Sequence, residues 1–273
     1  MERIQIMNVL SLFDGMSCGR IALDKLGIQP GFYFAAEIDK YAIQIAKKNY
    51  PDTIHLGDVR DVWWPESFDG VKIDLLIGGS PCQGFSFAGN QLNFDDPRSK
   101  LFFEFVRLLK ECKPKYFLLE NVRMKKESQE IISEYLGVEP VEINSSLVSA
   151  QNRKRLYWTN IPMDGLPEDK GIKLQDILED GYVDRDKAHC LDANYFKGGN
   201  LKSYFEKHRR QLVFSDDSFC GVWRHLYPVE CERLQTVPDG YTEGVSNTQR
   251  YKMLGNGWTV DVITHIMKGM EYA

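Results

Sequence analysis

The sequence predicts an α/β fold: a doubly wound, mostly parallel sheet with helices on both faces, and a small loop-rich region set into it late in the chain. Three observations carry that prediction. Short apolar runs alternate with segments of helical length through the first half of the chain, the order that builds parallel sheets. The runs, such as Met7–Phe13, Ile73–Ile77 and Tyr116–Leu119, are mainly apolar and short, as in buried strands. A glycine-containing turn, Asp14-Gly15-Met16-Ser17-Cys18-Gly19, follows the first run, and Glu37 ends the second one 22 residues after Gly15. That spacing is where α/β folds often place a carboxylate for ribose hydroxyls.

Met7 to Phe13 reads as the first buried strand, and a helix follows from about Gly19 to Leu26, with Gly27 as its C′ glycine. Phe32–Glu37 is the second strand and Tyr41–Asn49 the second helix, closed by Pro51. Ile54–Gly57 is a short third strand with Asp58 at its end. Ile73–Ile77, a helix over Ser99–Lys110 and a strand over Tyr116–Leu119 come next. Asn121 to about Leu136 starts as loop and continues as helix. After Trp158 the pattern changes: residues 164–220 are rich in glycine and charge, with one short helix expected at Leu174–Glu179. Order returns from Trp223, with a last helix over Val260–Tyr272. The organisation expected is therefore one domain, residues 1–163 and 221–273, holding the region 164–220.

Composition sets limits. The 273 residues, 43% hydrophobic and 27% charged, suit a globular chain with a sizeable core. No apolar run is long enough to span a bilayer, and the start of the chain lacks the apolar core of a secretory signal, so no membrane partner and a cytoplasmic setting are expected. The six cysteines, at 18, 82, 112, 190, 220 and 231, form no C-x-x-C pair, which argues against a zinc or redox motif and for no metal. A net charge of −5 gives no global nucleic-acid signature. The basic charge is local instead. Lys197, Lys202, Lys207, Arg209 and Arg210 are interleaved with Tyr195, Phe196, Tyr204 and Phe205.

Two strand ends carry the chemistry. Ser80-Pro81-Cys82-Gln83 follows the strand ending at Ile77, and Glu120-Asn121-Val122 follows the strand ending at Leu119. Reacting groups in α/β sheets gather at the carboxyl ends of strands, so a thiol and an acid would share one cleft. A lone cysteine is usually a small buried hydrophobe, but the pair meets the needs of methyl addition at C5 of cytosine. C5 is a poor nucleophile; a thiolate adding at C6 makes it enamine-like, and a carboxylic acid at N3 stabilises the charge that develops. The alternation in Gln151-Asn152-Arg153-Lys154-Arg155 places both arginines on one face of a strand running into Trp158. Gln83 to Arg98 is a long loop of the kind that covers active sites.

These strings in this order resemble the DNA (cytosine-5)-methyltransferases. The likeness rests on Phe13 to Gly19, the Pro81-Cys82-Gln83 and Glu120-Asn121-Val122 strings, Gln151 to Arg155, Arg224 to Pro238, and Gly255-Asn256-Gly257-Trp258-Thr259-Val260. It covers the chain apart from about residues 164–220 and implies a Rossmann-like, S-adenosylmethionine-dependent methyltransferase fold. It implies a cofactor site from Phe13, Asp14, Gly15, Met16, Ser17, Cys18, Glu37, Ile38, Asp58, Val59, Ser80, Pro81, Asn256, Gly257 and Trp258, with Glu37 on the ribose and Ile38, Asp58 and Val59 about the adenine. Cys82 would be the nucleophile and Glu120 would face N3. Arg155 would hold O2, with Arg153 on the base or a phosphate. The chain departs from the pattern where many bacterial members have Ser-Val at Gly257-Trp258 and an aromatic residue at Ile38.

Residues 164–220 stand where the family reads its target in double-stranded DNA, and the cytosine would have to be flipped out of the duplex. Gln83, Ser86, Lys197, Lys202, Arg209 and Arg210 are the candidate nucleic-acid contacts. A cognate restriction endonuclease and weak self-association through Phe102, Phe103 and Phe105 are the other partners to consider; those phenylalanines read first as core. Two alternatives stand beside this reading. One is a tRNA cytosine-5 methyltransferase, whose Cys-Phe-Thr signature is replaced here by Phe219-Cys220-Gly221. The other is a catalytically inactive regulatory homologue, which would have lost Cys82 or Glu120.

Overall fold

The computed structural model describes residues 7–80, 97–219 and 221–271. Five parallel strands form the body of a seven-stranded sheet: β1 (Met7–Leu12), β2 (Pro30–Ala36), β3 (Ile54–Gly57), β4 (Leu75–Gly78) and β5 (Tyr116–Val122). Two more, β6 (Val141–Asn144) and β7 (Lys154–Thr159), complete it in the order β3-β2-β1-β4-β5-β7-β6, with β7 antiparallel to both neighbours. The helices that alternate with the strands are α1 (Cys18–Lys25), α2 (Lys40–Asn49), α3 (Pro97–Cys112) and α4 (Lys126–Leu136).

The continuous apolar strands do what two-sided burial requires. Val9, Leu75, Ile77 and Leu118 face one core layer, and Leu10, Leu12, Leu76, Phe117 and Leu119 face the other. The chain runs outward from β1 to β3, then returns to place β4 on the other side of β1. Order reverses there, and the crevice this leaves at the carboxyl ends of β1 and β4 is where such sheets bind ligands.

Several boundaries differ from the sequence reading. β1 stops at Leu12 because Phe13 adopts a left-handed conformation (φ 56°). β4 begins at Leu75, two residues late, and α3 runs from Pro97 to Cys112, longer than the segment expected. β5 extends through Glu120 to Val122 where a loop was expected. The extension follows from pairing: Glu120 stands opposite Tyr157 and Val122 opposite Arg155 on β7. The last helix, α8 (Val260–Met267), ends before Tyr272.

The region around 164–220 is sparsely regular. Leu174–Ile177 is a 3₁₀ turn rather than a helix, α5 (Leu201–Lys207) was not foreseen, and β8 (Leu212–Phe214) pairs with β9 (Trp223–His225). That hairpin crosses residue 220, so this region's last strand is paired with the returning chain. Two further short helices, α6 (Pro228–Leu234) and α7 (Asn247–Asn256), lead back to the sheet. Two glutamates of α6 explain its sequence. Glu230, fully buried, pairs with Arg224 (2.8 Å), and Glu232, also fully buried, pairs with Arg250 and accepts from the amides of Gly240 and Thr242. Buried charges are tolerated when matched this completely.

Phe102 and Phe105 are fully buried in the core, and the ring of Phe103 packs edge-on against Tyr135 of the same chain at 5.2 Å. Among the described residues, no helix is long and apolar enough to cross a membrane and no group of three or more metal-ligating side chains occurs.

Candidate active site

A cavity of ≈ 610 Å³ opens at the carboxyl ends of β1, β2, β4 and β5. Its first wall is the turn after β1. Gly15 has φ +59°, a conformation that favours glycine, and Ser17 is also left-handed. The turn is held by Glu37, whose carboxylate accepts from the amide of Gly15 (2.8 Å) and from those of Ile38 (2.7 Å) and Asp39 (2.8 Å). One side chain at the end of β2 thus ties two cavity loops together. Ile38 is 71% exposed at the rim. Asp58 caps the turn after β3 through the amide of Arg60 and pairs with its guanidinium; those bonds hold its carboxyl below the usual range.

Most of the residues expected on a cofactor line this cavity, among them Phe13, Cys18, Val59, Ser80, Asn256 and Gly257. Met16 and Ser17 are buried behind the wall. Met16 supports the opposite loop: its carbonyl accepts from the hydroxyl of Tyr241 (2.7 Å). Cys18 faces the cavity as a neutral thiol, pushed up to about 12 by burial. Sequence reasoning missed Lys252 of α7, which lines the cavity and pairs with Asp39 (2.7 Å) at the start of α2. Nothing in the polar stretch around it signals that role.

Asp14 lines the cavity with hydroxyls, not cations, as partners: Tyr33 (2.8 Å) and Ser17 (2.5 Å) donate to its carboxylate. Burial is the main cause that pushes its pKa up to about 6, with Glu37 adding to it and the hydroxyls opposing it. The folded chain therefore binds this proton more tightly than the unfolded chain does. Burying the anion destabilises the protein above about pH 6, and the cost fades as pH falls from there towards the ordinary carboxylate value. Asp14→Asn is expected to stabilise the ligand-free protein by on the order of 2 kcal/mol at about pH 7.5, with a gain that shrinks by about pH 4.5. Thermal melting of both proteins across that range checks this; a gain that does not depend on pH refutes it.

The second wall holds the candidate chemistry. Glu120, 8% exposed, receives the Nε of Arg155 at 3.0 Å on Oε1 and the indole N–H of Trp258 at 3.2 Å on Oε2. Burial opposes the charge on Arg155 most strongly, but the Glu120 carboxylate together with Cys190 and Tyr157 outweighs it and leaves the guanidinium holding its proton more tightly than usual. Asn121 donates to the carbonyl (3.2 Å) and hydroxyl (3.3 Å) of Ser80, tying the ends of β4 and β5 together. Pro81, Cys82, Gln83 and Ser86 lie outside the described residues, as does most of the loop from Gln83 to Arg98.

Arg153 corrects an expectation. It lines the same cavity, but its side chain is 3% exposed and its guanidinium donates to the carbonyls of Leu191 (2.9 Å), Gly255 (3.2 Å) and Gly257 (2.8 Å). It is a strut between the loop before α8 and the region 164–220, not a free cation for a base or phosphate. Gln151 behaves alike, donating to Leu234 and Gln235. Arg153→Ala would remove a donor from three carbonyls, leaving that of Gly255 without one among the described residues and those of Gly257 and Leu191 with only the bonds from Gln235 and Cys190, and a loss of about 3 kcal/mol is expected. A melting temperature lowered by roughly 6–10 °C would show it; an unchanged one would contradict the strut.

A family model described as C-5 cytosine-specific DNA methylase matches residues 7–164 and 172–271. The chain belongs to that family. Among curated proteins, it is 30% identical over 87% of its length to the type II methyltransferase M1.ScrFI of Lactococcus lactis subsp. cremoris, of which it spans 71%. It is 36% identical over 65% of its length to the type II methyltransferase M.NgoBV of Neisseria gonorrhoeae and 34% over 64% to the orphan methyltransferase M.SPRI of Bacillus phage SPR. It spans only 48% and 43% of those two relatives. Its fold is similar to that of the Entamoeba histolytica methyltransferase EhMeth (TM-score 0.76, 19% identity, 97% of this chain and 98% of that one). The S. pombe Dnmt2 methyltransferase is similar in the same way (TM-score 0.72, 20% identity, 96% and 97%).

In this C-5 cytosine methylase, the interruption between the two matched segments falls at the entry to the region 164–220. Of the basic residues expected on nucleic acid, Lys197, Lys202 and Arg209 are exposed, although Arg209 lies 3.4 Å from Asp192. Arg210 is half-buried and donates to the carbonyl of Gly198. Lys187, not singled out from the sequence, ties the region to the domain by donating to the carbonyls of Ser146, Ser149 and Ile172.

Proposed function

We propose that this chain transfers a methyl group from S-adenosylmethionine to C5 of a flipped cytosine in double-stranded DNA. The observation that carries the reading is one cavity joining Glu37 and Asp14 on one wall to the Glu120–Arg155 pair on the other. A donor and an acceptor of a small group would meet there.

The residues fit the cofactor. The cavity's size is that of a small-molecule site. Glu37 keeps acceptor capacity beyond its three amide bonds, which suits ribose hydroxyls, and the side chain of Ile38 at the rim suits an adenine face. Asp14, a buried carboxylate without a cationic partner, suits a ligand bearing positive charge. When bound, S-adenosylmethionine supplies an electrophilic methyl group.

The chain's own residues do the rest. Cys82 adds as a thiolate to C6 of the base, which places electron density at C5. Glu120 stabilises that charge by hydrogen bonding or donating a proton at N3, and Arg155, held against Glu120 and lining the same cavity, would turn its guanidinium from the Lys154 carbonyl and the Cys190 sulfur towards O2. Once C5 has bonded to the methyl group, its proton passes to a base such as a water molecule, the C5–C6 double bond re-forms and the Cys82 thiolate leaves C6. The exposed Lys197, Lys202 and Arg209 would contact phosphates and position the duplex.

The test is base-resolution sequencing of 5-methylcytosine in DNA from a methylation-deficient host expressing this chain, with Cys82→Ala as control. Methylation at one short sequence, absent from the control, supports the reading and reveals the target. No methylation from a folded protein that binds S-adenosylmethionine would overturn it, and tRNA would be the next substrate tried.

A further inference from the structure

We propose that Trp258 is a positioning residue for Glu120: its indole N–H fixes one carboxylate oxygen, so that the acid presents a set edge to the cytosine. The inference deepens the function proposed above and rests on it for the role of Glu120, though not for the contact itself.

The two oxygens of Glu120 are held from opposite sides. Arg155 on β7 takes Oε1, and Trp258, in the turn before α8 and 138 residues away in sequence, takes Oε2. Both residues of the Trp258–Glu120 pair are buried, so little water competes for the bond. With Oε2 hydrogen-bonded to the indole and Oε1 in an ion pair with the guanidinium, turning the carboxyl plane about its last torsion would give up both contacts. An indole N–H only donates. It cannot accept the proton of a carboxylic acid, as a water or hydroxyl in the same place could. A proton on Glu120 must therefore point along a lone pair that Trp258 does not occupy.

Gly79 is explained by this pair. A Cβ there would lie 2.8 Å from the indole nitrogen and 3.1 Å from Oε2 of Glu120. Its backbone is not left-handed, so space, not conformation, accounts for the glycine. Gly257 serves the same end. A Cβ there would stand 3.0 Å from Met16 and 3.3 Å from the sulfur of Cys18, so its absence lets the turn settle against the wall after β1. Arg153 holds the Gly257 carbonyl, and Thr259 is bonded to Gln235 (2.9 Å) and Ser145 (2.8 Å). The indole is thus fixed by the residues on both sides of it. Gly257-Trp258 is also where the sequence departs from the Ser-Val of many family members, and valine has no donor to offer the acid.

Trp258→Phe keeps an aromatic ring and removes the donor. We expect kcat for cytosine methylation to fall about tenfold, while KM for S-adenosylmethionine and the calorimetric affinity for S-adenosylhomocysteine, whose proposed site Trp258 also lines, change by much less because phenylalanine keeps a ring there. Gly79→Ala should lower kcat similarly, and the two losses should not multiply in the double variant. An unchanged kcat, or a loss of cofactor affinity in proportion to kcat, would overturn the proposal in favour of simple packing. A second readout needs no activity. The chain has five tryptophans, and in ¹⁵N-indole-labelled protein Trp258→Phe identifies one N–H resonance by its loss. That resonance should move on Glu120→Gln, and one that stays put would remove the contact on which the proposal stands. A wild-type protein that methylates no cytosine would refute the function proposed above, while the resonance test would still decide the contact.

Discussion

Cys82→Ala is expected to abolish methyl transfer, by at least about 10⁴-fold in kcat, while S-adenosylmethionine still binds. The reason is electronic. Without a nucleophile at C6, C5 keeps its aromatic character and cannot attack an electrophilic carbon at a useful rate, so no placement of cofactor and base compensates. Three of the other cysteines are poor substitutes. Cys18 and Cys112 are pushed up to about 12 by burial, and burial beside Glu230 and Glu232 also raises Cys231; thiols so weakly acidic supply almost no thiolate. Single-turnover methylation with labelled cofactor, together with calorimetry for S-adenosylhomocysteine, checks both halves. Activity within tenfold of wild type would remove Cys82 from the mechanism.

Glu120→Gln should have the next largest effect, a loss of about 10²–10⁴-fold in kcat, the range over which positioned acids and bases act. Glutamine keeps the shape and can offer N3 an amide hydrogen, but it has no acidic proton to give. It also leaves the Arg155 guanidinium, 3.0 Å from Oε1, without its counter-charge in a largely buried site. Removing one member of such a pair destabilises the other, so a lowered melting temperature should accompany the kinetic loss. With Glu120 assigned to the base as proposed, KM for S-adenosylmethionine should change little. A fall in cofactor affinity that accounts for the whole rate loss would reassign Glu120 to the cofactor wall. The Trp258→Phe variant should show a smaller loss of the same kind, since it removes a donor from Glu120 rather than Glu120 itself.

Much of the sheet was legible from local pattern. The mainly apolar runs at Met7–Leu12 and Tyr116–Leu119 read as buried strands, and in the fold their neighbouring residues point to opposite layers. The short polar elements were not legible: α7 reads Asn-Thr-Gln-Arg-Tyr-Lys-Met-Leu-Gly-Asn and carries no clear apolar face. The four-residue β6 was missed for the same reason, being too short for alternation to register. Among site residues, Glu37, Glu120 and Arg155 were legible because each sits at a strand position that alternation and spacing mark.

The sequence by itself determined the family, the parallel α/β order and the strand ends on which the candidate chemistry sits. Those properties depend on residue types at short spacing, which a chain displays without folding. Only the tertiary structure decided that Arg153 is a strut while Arg155, two residues on, faces Glu120. It also decided that Gly79 makes room for a hydrogen bond between Glu120 and Trp258. Each of those depends on which carbonyls and donors arrive from far along the chain, and a buried polar side chain takes its role from the partners that burial leaves it.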